Sequence, residues 1–172
     1  MENSLKRYLL DSRLYIDEEL EEFANNFVNT QGFKKDISDK RIIMQNWYDG
    51  YLFCFWIGLR YSVRKSKFKR KDKAGGIWND VKRQDQYLYL ITKMLIREEN
   101  QIEIGINSRR NLNSIGNMKE LADKILNLAN EYTFGGLELL KQEYDQFDGL
   151  FESLDYVIII KNNLDKRLNV TD

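Results

Sequence analysis

Hydrophobic positions along this chain recur mostly at spacings of three and four residues, which is the repeat of an amphipathic α-helix. The intervening stretches are polar or contain glycine, as expected of connections between helices. The pattern therefore predicts an all-α fold, a single compact bundle of about five helices that forms one domain over residues 1–172. The predicted helices cover residues 4–28, 39–64, 78–98, 117–147 and 150–164.

The second predicted helix contains the most aromatic and apolar run in the chain. Between Trp47 and Leu59 few positions are polar, and a helix that is apolar nearly all round lies in a core or is covered by another chain. Gly50 and Gly58 fall on roughly the same face of this helix, where small residues let another backbone approach closely. We therefore expect it to be the hub against which the other helices pack.

Two segments depart from a simple helical repeat. Residues 101–106, QIEIGI, alternate apolar and polar positions, which predicts a short strand or an extended connector. Gly135 and Gly136 interrupt the fourth predicted helix, and each costs roughly 1 kcal/mol relative to alanine. We expect a kink, a helix end or a close backbone contact there. The β-branched run VIII leaves a strand as the alternative to a terminal helix over residues 150–164.

Three features of the composition narrow the possible chemistry. The chain has no proline, which favours helices over a loop-rich or all-β fold. It has no histidine, which removes the commonest general base and zinc ligand. Its one cysteine, Cys54, lies between aromatic neighbours, so we expect a buried structural thiol in a reducing, cytoplasmic setting.

A strongly basic segment follows the hub helix, and we call residues 60–76 the basic arm. Between Arg60 and Lys73 eight basic residues face one acid, a local charge of about +7, although the whole chain has no net charge. Such runs are typical of nucleic-acid patches, because cations attract phosphates and release counterions. Contact with an acidic protein surface and a solvated loop are the alternatives. The arm is predicted to be an internal loop or a helix extension. With two arginines of a turn-rich segment, the predicted nucleic-acid-binding residues are Arg60, Arg64, Lys65, Lys67, Lys69, Arg70, Lys71, Lys73, Arg109 and Arg110.

An acidic patch lies on the polar side of the first predicted helix. It is either a solvated face or a docking surface, for a basic partner or for this chain's own basic arm. The predicted partner-binding residues are Glu18, Glu19, Glu21 and Glu22.

The chain shows no pattern that predicts catalysis, so we expect a protein that is not an enzyme. The acids are scattered over helix faces, and no catalytic, cofactor-binding or metal-binding residue is predicted. No run approaches the roughly eighteen apolar residues of a membrane span, and the N-terminus lacks the core of a signal peptide. A carboxylate-only magnesium site of a nuclease remains the weakest alternative.

One segment resembles a known family. Residues 131–141, EYTFGGLELLK, resemble the EYANGGLEIL-type signature of the Dnd-system-associated protein four family, small helical proteins that accompany bacterial DNA phosphorothioation gene clusters. The order of features over residues 47–141 is also similar: the aromatic helix, a basic stretch, the helix QYLYLITKML and then GGLE. Thr133 and Phe134 stand where that signature has Ala-Asn. The resemblance implies an accessory subunit that works with a larger nuclease, ATPase or helicase subunit, and it brings no catalytic residues.

The sequence therefore predicts a non-catalytic accessory subunit of a bacterial anti-phage or DNA-modification-linked restriction assembly. Its basic arm would contact DNA or a DNA-handling partner, and self-association into a homo-oligomer is open. The alternative is a pure protein–protein adaptor without nucleic-acid contact.

Overall fold

The computed structural model describes residues 5–27, 46–78, 84–106, 118–146 and 161–166. In chain order the elements are helix α1 (Leu5–Leu10), strand β1 (Arg13–Asp17), a 3₁₀ turn (Glu18–Leu20), α2 (Glu21–Phe27), α3 (Trp47–Tyr61), β2 (Arg70–Ile77), α4 (Gln84–Leu95), α5 (Glu98–Ile104) and α6 (Met118–Gln146). Residues 161–166 are also helical. The fold is all-α, as predicted, with one small two-stranded sheet among the described residues.

Helices α3 and α6 form the centre of the fold and approach each other through glycines. A Cβ on Gly58 would lie 1.9 Å from the Tyr132 carbonyl oxygen, and one on Gly136 would lie 2.0 Å from the Cys54 oxygen. Neither position has room for a side chain. Helix α6 runs unbroken through Gly135 and Gly136. The glycine pair therefore provides a close backbone contact, and the alternative of a helix end is wrong.

The first predicted helix, residues 4–28, is wrong over its middle, because α1 ends early and strand β1 follows. Strand β1 pairs antiparallel with β2, with Asp17 opposite Arg70. Leu14 and Ile16 are buried, and Arg13 and Tyr15 beside them are more exposed, a period-two pattern that suits a strand and ends at the buried Asp17. Hydrogen bonds to a strand more than fifty residues later in the chain thus replace the helical ones.

The sequence predicted a short strand or an extended connector for residues 101–106, and this prediction is wrong. These residues belong largely to helix α5. The helix ends at Gly105, whose φ of 83° is in the left-handed region that favours glycine. The Asn100 side chain is fully buried, donates to the Met94 carbonyl at 2.8 Å and accepts from the Tyr132 hydroxyl at 3.1 Å. These hydrogen bonds tie the start of α5 to α4 and α6, which stabilises the helix where alternation alone favoured a strand.

The other predicted helices are present within narrower bounds. Helix α3 starts at Trp47, after Asn46 accepts the Asp49 amide at 3.0 Å as an N-cap. Helix α4 starts at Gln84, and Trp78 follows strand β2 instead of opening that helix. The remaining parts of these predictions, including the strand alternative for VIII, lie outside the described residues, in 1–4, 28–45, 79–83, 107–117, 147–160 and 167–172.

An aromatic cluster joins α3 and α4 under the β-ribbon. Trp78 and Tyr87 stack with ring centroids 4.1 Å apart, and Tyr48 and Tyr51 meet Trp78 edge-on at 5.2 and 5.5 Å. Because Trp78 and Tyr87 are almost completely buried, the cluster fixes how the end of β2 sits on the helices. It also forms the floor of a cleft described below.

Candidate nucleic-acid interface and adjoining cleft

The basic arm leaves α3 through a left-handed residue and crosses α6 at the glycine pair. Ser62 has a φ of 54°, and its amide donates to carbonyls of the last turn of α3. The Lys65 amide then donates to the Glu131 carbonyl at 3.0 Å. A Cβ on Gly135 would lie 2.5 Å from the Val63 oxygen. The first part of the arm therefore lies directly on the backbone of α6.

Lys65 forms an ion pair with a buried carboxylate. Its ammonium lies 2.7 Å from Asp17 Oδ2, 2.9 Å from Glu19 and 3.5 Å from Glu138. The Asp17 side chain is fully buried, and Oδ2 accepts no other hydrogen bond within the described ranges. Burial alone would lower the pKa of Lys65, yet hydrogen bonds to Asp17 and Glu19 outweigh it and raise that pKa. This lysine is charged and structural.

Arg64 bridges two helices. Its guanidinium donates to both carboxylate oxygens of Glu103 at 2.7 and 2.6 Å and, through Nε, to Glu131 at 3.0 Å. The hydrogen bond from Arg64 lowers the pKa of Glu103 below its ordinary value. A bidentate arginine–carboxylate pair has a fixed geometry, so Arg64 holds the arm between α5 and α6.

Arg60 anchors the helical segment 161–166 to α3. It donates to Asp165 Oδ1 at 3.2 and 3.1 Å, and the Tyr61 hydroxyl donates to the same oxygen at 2.7 Å. Hydrogen bonds from Lys161, Tyr61 and Arg60 lower the pKa of Asp165 to about 2. Arg60, Arg64 and Lys65 together are called the base of the arm.

The following residues, which we call the tip of the arm, have different surroundings. Lys67 and Lys69 are exposed, and neither forms an ion pair within the described part of the chain. Arg70 is also exposed; it donates to the neutral Asn127 side chain and lies over the Tyr15 ring, 5.4 Å from its centroid. Between the lysines, Phe68 packs edge-on against Phe134 at 4.9 Å. The tip comprises Lys67, Phe68, Lys69 and Arg70.

The first two residues of the arm belong to the last turn of α3, residues 62–69 form an irregular connection, and strand β2 begins at Arg70. The loop interpretation is therefore confirmed for residues 62–69, and a helix extension is wrong beyond Tyr61. Lys71 pairs with Glu21 at 2.6 Å, as Lys65 does with Glu19. The side chains of two of the four predicted partner-binding acids thus form ion pairs with the chain's own arm, and the Glu18 backbone amide donates to the Lys69 carbonyl at 3.0 Å. The Glu18 and Glu22 side chains are exposed. The Lys73 side chain, Arg109 and Arg110 lie outside the description that the structure gives.

Sequence reasoning missed a cleft that opens beside the tip, between the β-ribbon and the first half of α6. Its volume is about 890 Å³. Tyr51, Trp78 and Tyr87 form its buried floor, and the half-buried Tyr8 and Tyr15 stand at its rim. The one signal in the sequence that could have indicated it is an asparagine inside an apolar helical stripe, Asn130 in LNLANEY.

A second, more open groove lies between the outer faces of α3 and α4. It measures about 590 Å³ and is lined by Leu52, Phe53, Trp56 and Tyr89, among others. The Phe53 and Trp56 rings stack at 6.1 Å, and Tyr89 is 59% exposed. The groove therefore presents aromatic surface to solvent.

No group of three or more histidine, cysteine, aspartate or glutamate side chains suited to a metal ion occurs among the described residues. Cys54 is completely buried, and burial raises the pKa of its thiol. Within the same residues no helix has both the length and the apolar character needed to cross a membrane. No family model, curated protein or solved structure matches the chain.

Proposed function

We propose that this protein is a non-catalytic accessory subunit of a bacterial defence assembly linked to DNA modification, and that the tip of its basic arm contacts nucleic acid. The likeness of residues 131–141 to the Dnd-associated signature supports the bacterial setting and a larger nuclease, ATPase or helicase partner. The buried, protonated thiol of Cys54 supports a structural role for the one strong nucleophile.

The division of the arm into a base and a tip is the observation that carries the proposal. Ion pairs to Glu131 of α6, Glu103 of α5 and Asp17 of β1 hold Arg64 and Lys65 of the base in place. The tip is thereby presented on a fixed support with its cations directed to solvent. Pre-positioned cations lose little conformational entropy when they meet phosphates, and phosphate contacts position a protein without reading sequence.

Salt dependence tests this proposal quantitatively. Three cations at the tip predict a slope of roughly −3 in a plot of log K against log salt for duplex DNA, at about −0.9 per phosphate neutralised. Binding of a labelled duplex to the full chain is measured by fluorescence anisotropy at several salt concentrations. An affinity that does not change with salt would remove the nucleic-acid contact from the proposal.

A matched pair of charge reversals locates the contact. K67E/K69E reverses the two unpaired lysines of the tip, and K6E/K166E reverses two exposed lysines elsewhere with the same change in net charge. We expect K67E/K69E to weaken binding at least tenfold, because two attractive contacts become repulsive, and the control to change it far less. Equal effects of both variants would show that only overall charge matters.

A protein–protein adaptor is the second candidate, and the aromatic groove between α3 and α4 favours it. Exposed aromatic surface of this kind marks interaction sites more often than isolated apolar residues do. The protein is captured from its own host with and without nuclease treatment, as wild type, Y89D and K67E/K69E. A partner that survives nuclease and K67E/K69E, but is lost with Y89D, would establish the adaptor. Partners lost on nuclease treatment would support the proposed nucleic-acid contact.

A further inference from the structure

We infer that the cleft between the β-ribbon and the first half of α6 binds the nucleobase of a nucleotide, with Arg70 at its rim facing the attached phosphate. The nucleobase part of this inference does not depend on the proposed function, whereas the phosphate part rests on it. The ligand is either a free nucleotide or one nucleotide of a nucleic acid, since both present the same base and phosphate.

The size and the walls of the cleft suit a planar ring. Its volume of about 890 Å³ lies within the range of small-molecule pockets, roughly 300–1,000 Å³. Trp78 and Tyr87 already stack on each other in the floor, while the half-buried rings of Tyr8 and Tyr15 line the rim. Because Trp78 and Tyr87 are almost completely buried, the rings open to a ligand are those of Tyr8 and Tyr15. Nucleobases stack readily on such aromatic faces, because every base has a π-surface.

A buried amide supplies a hydrogen-bond donor inside the cleft. Asn130 is only 4% exposed and lines the cleft from α6. Its Oδ1 accepts the Tyr51 hydroxyl at 2.9 Å, which fixes the orientation of the amide. Its nitrogen forms no hydrogen bond in the part of the chain that the structure describes. This nitrogen is not one of the buried polar atoms that lack a partner, so it faces the solvent of the cleft, where it can donate to the carbonyl oxygens and ring nitrogens of nucleobases.

The charges around the cleft favour a neutral ring over a bare anion. The lining contains four cationic and four anionic side chains, and several are already paired, among them Glu103 with Arg64 and Lys124 with Glu120. The net field inside is therefore weak, in contrast to the tip of the arm. A free phosphate has little reason to enter this cleft, whereas a base can.

Arg70 belongs both to the cleft and to the tip. Its guanidinium lies over the Tyr15 ring and donates to Asn127, both of which line the cleft. Lys69 precedes it in the chain and is exposed. A nucleotide whose nucleobase is held in the cleft would thus direct its phosphate toward these two cations. The planar ring and the phosphate would be bound at adjoining surfaces.

In the experiment, the full chain is titrated with the four nucleoside monophosphates and with oligo-dT, and binding is measured by isothermal titration calorimetry. Leu126 is half-buried and lines the cleft, so L126W fills it; Leu52 lines the other groove, so L52W is the matched control. N130D is a second variant that keeps the size and the acceptor for Tyr51 but removes the unpaired donor. Thermal unfolding checks that all three variants fold.

We expect at least one monophosphate to bind, with L126W and N130D weakening binding about tenfold or more and L52W leaving it within about twofold. Binding of a monophosphate alone identifies a free nucleotide as the ligand. Tighter binding of oligo-dT that falls when one residue is abasic identifies a nucleotide of a nucleic acid. Absence of binding by every probe, or equal effects of L126W and L52W, would overturn the inference.

The outcomes also separate this inference from the proposed function. If oligo-dT binds and K67E/K69E abolishes binding while L126W and N130D have no effect, the inferred nucleobase site is wrong and the proposed function stands. If monophosphates bind in the cleft while K67E/K69E leaves oligonucleotide binding unchanged, the inferred nucleobase site stands. The proposed contact between the tip of the arm and nucleic acid is then wrong.

Discussion

The base and the tip of the basic arm are adjacent in sequence and similar in composition, yet the fold treats their cations in opposite ways. Arg60, Arg64 and Lys65 each meet at least one carboxylate from another element. The side-chain cations of Lys67 and Lys69 meet none within the described residues, although the Lys69 backbone amide donates to Asp17 Oδ1 at 3.2 Å. The difference lies in what stands opposite: α5, α6 and β1 present acids to the base, whereas Phe68 turns inward on Phe134 and leaves its two lysine neighbours outside.

The comparison shows that a basic run is not a single functional unit. The local charge of about +7 counted from sequence is largely compensated at its start by acids that lie far away in the chain. The charge available to a ligand is therefore concentrated at the tip. The charge that a basic stretch offers to a ligand can be counted only after its intramolecular partners have been identified. A cation paired with a buried carboxylate adds little to the attraction for an external phosphate.

The largest expected effect is a loss of folding stability when the ion-paired Lys65 at the base of the arm is replaced, compared with replacement of the unpaired Lys67 at its tip. K65M removes the cation beside the buried Asp17 carboxylate. Only the Glu19 and Lys69 backbone amides, which donate to Oδ1, then remain as its partners among the described residues. The free energy of unfolding should fall by about 3 kcal/mol, measured by urea denaturation at neutral pH. K67M is the control and should change it by less than about 0.5 kcal/mol. Similar values for the two variants would refute the distinction between base and tip.

A smaller effect is expected where the base crosses α6. The Cβ of G135A would stand 2.5 Å from the Val63 oxygen and 2.8 Å from Arg64 Cα, both backbone atoms that cannot rotate away. Moving the arm off the helix should cost about 2 kcal/mol and should also weaken nucleic-acid binding. G105A is a useful comparison, because it has open space but a left-handed φ and should cost about 1 kcal/mol. Nucleic-acid binding should be unaffected in G105A.

The residue between the two unpaired lysines should have a more modest influence. F68L removes the edge-on contact with Phe134 and the ring beneath Arg70, at a cost of about 1 kcal/mol in unfolding free energy. F53L, which removes a stacked ring on the exposed side of α3, is the control and should cost less. A larger loss in F53L would mean that Phe68 does not hold the tip.

The smallest effect is expected in acid. The pKa of Asp165 is about 2 in the folded protein, below its ordinary value of about 4. The unfolded chain therefore binds more protons in this interval, so the contribution of Asp165 is complete above about pH 4 and is lost as the pH falls toward 2. The pKa of Glu103 is lowered by Arg64 in the same direction.

The thermal midpoint is followed from pH 7 to pH 2 in wild type and in D165N. D165N should show a shallower decline between pH 4 and 2, and K67M should follow the wild-type curve. An unchanged slope in D165N would show that the contacts of the base with residues 161–166 do not contribute to stability.

Much of the helical core was predictable from the chain. The nearly all-apolar run of α3 identified the hub, because such a surface has to be buried whatever its neighbours. The spacing in α6 indicated a helix, and the costly Gly135-Gly136 pair indicated a kink, a helix end or a close backbone contact, of which the structure shows the close contact. The burial of Cys54 among aromatic residues was predictable for the same reason. The local pattern sufficed in these places.

The chain determined by itself that it forms helices around an aromatic hub, because periodicity and side-chain volume are local properties. Tertiary structure alone decided that RLYID pairs with β2 as a strand, that Glu98–Ile104 is helical, and that Arg64 and Lys65 are structural while Lys67 and Lys69 are exposed. It also decided that Asn130 borders a cleft. Strand pairing, ion pairing and cavities depend on residues that are distant in sequence, so their positions exist only once the helices have packed.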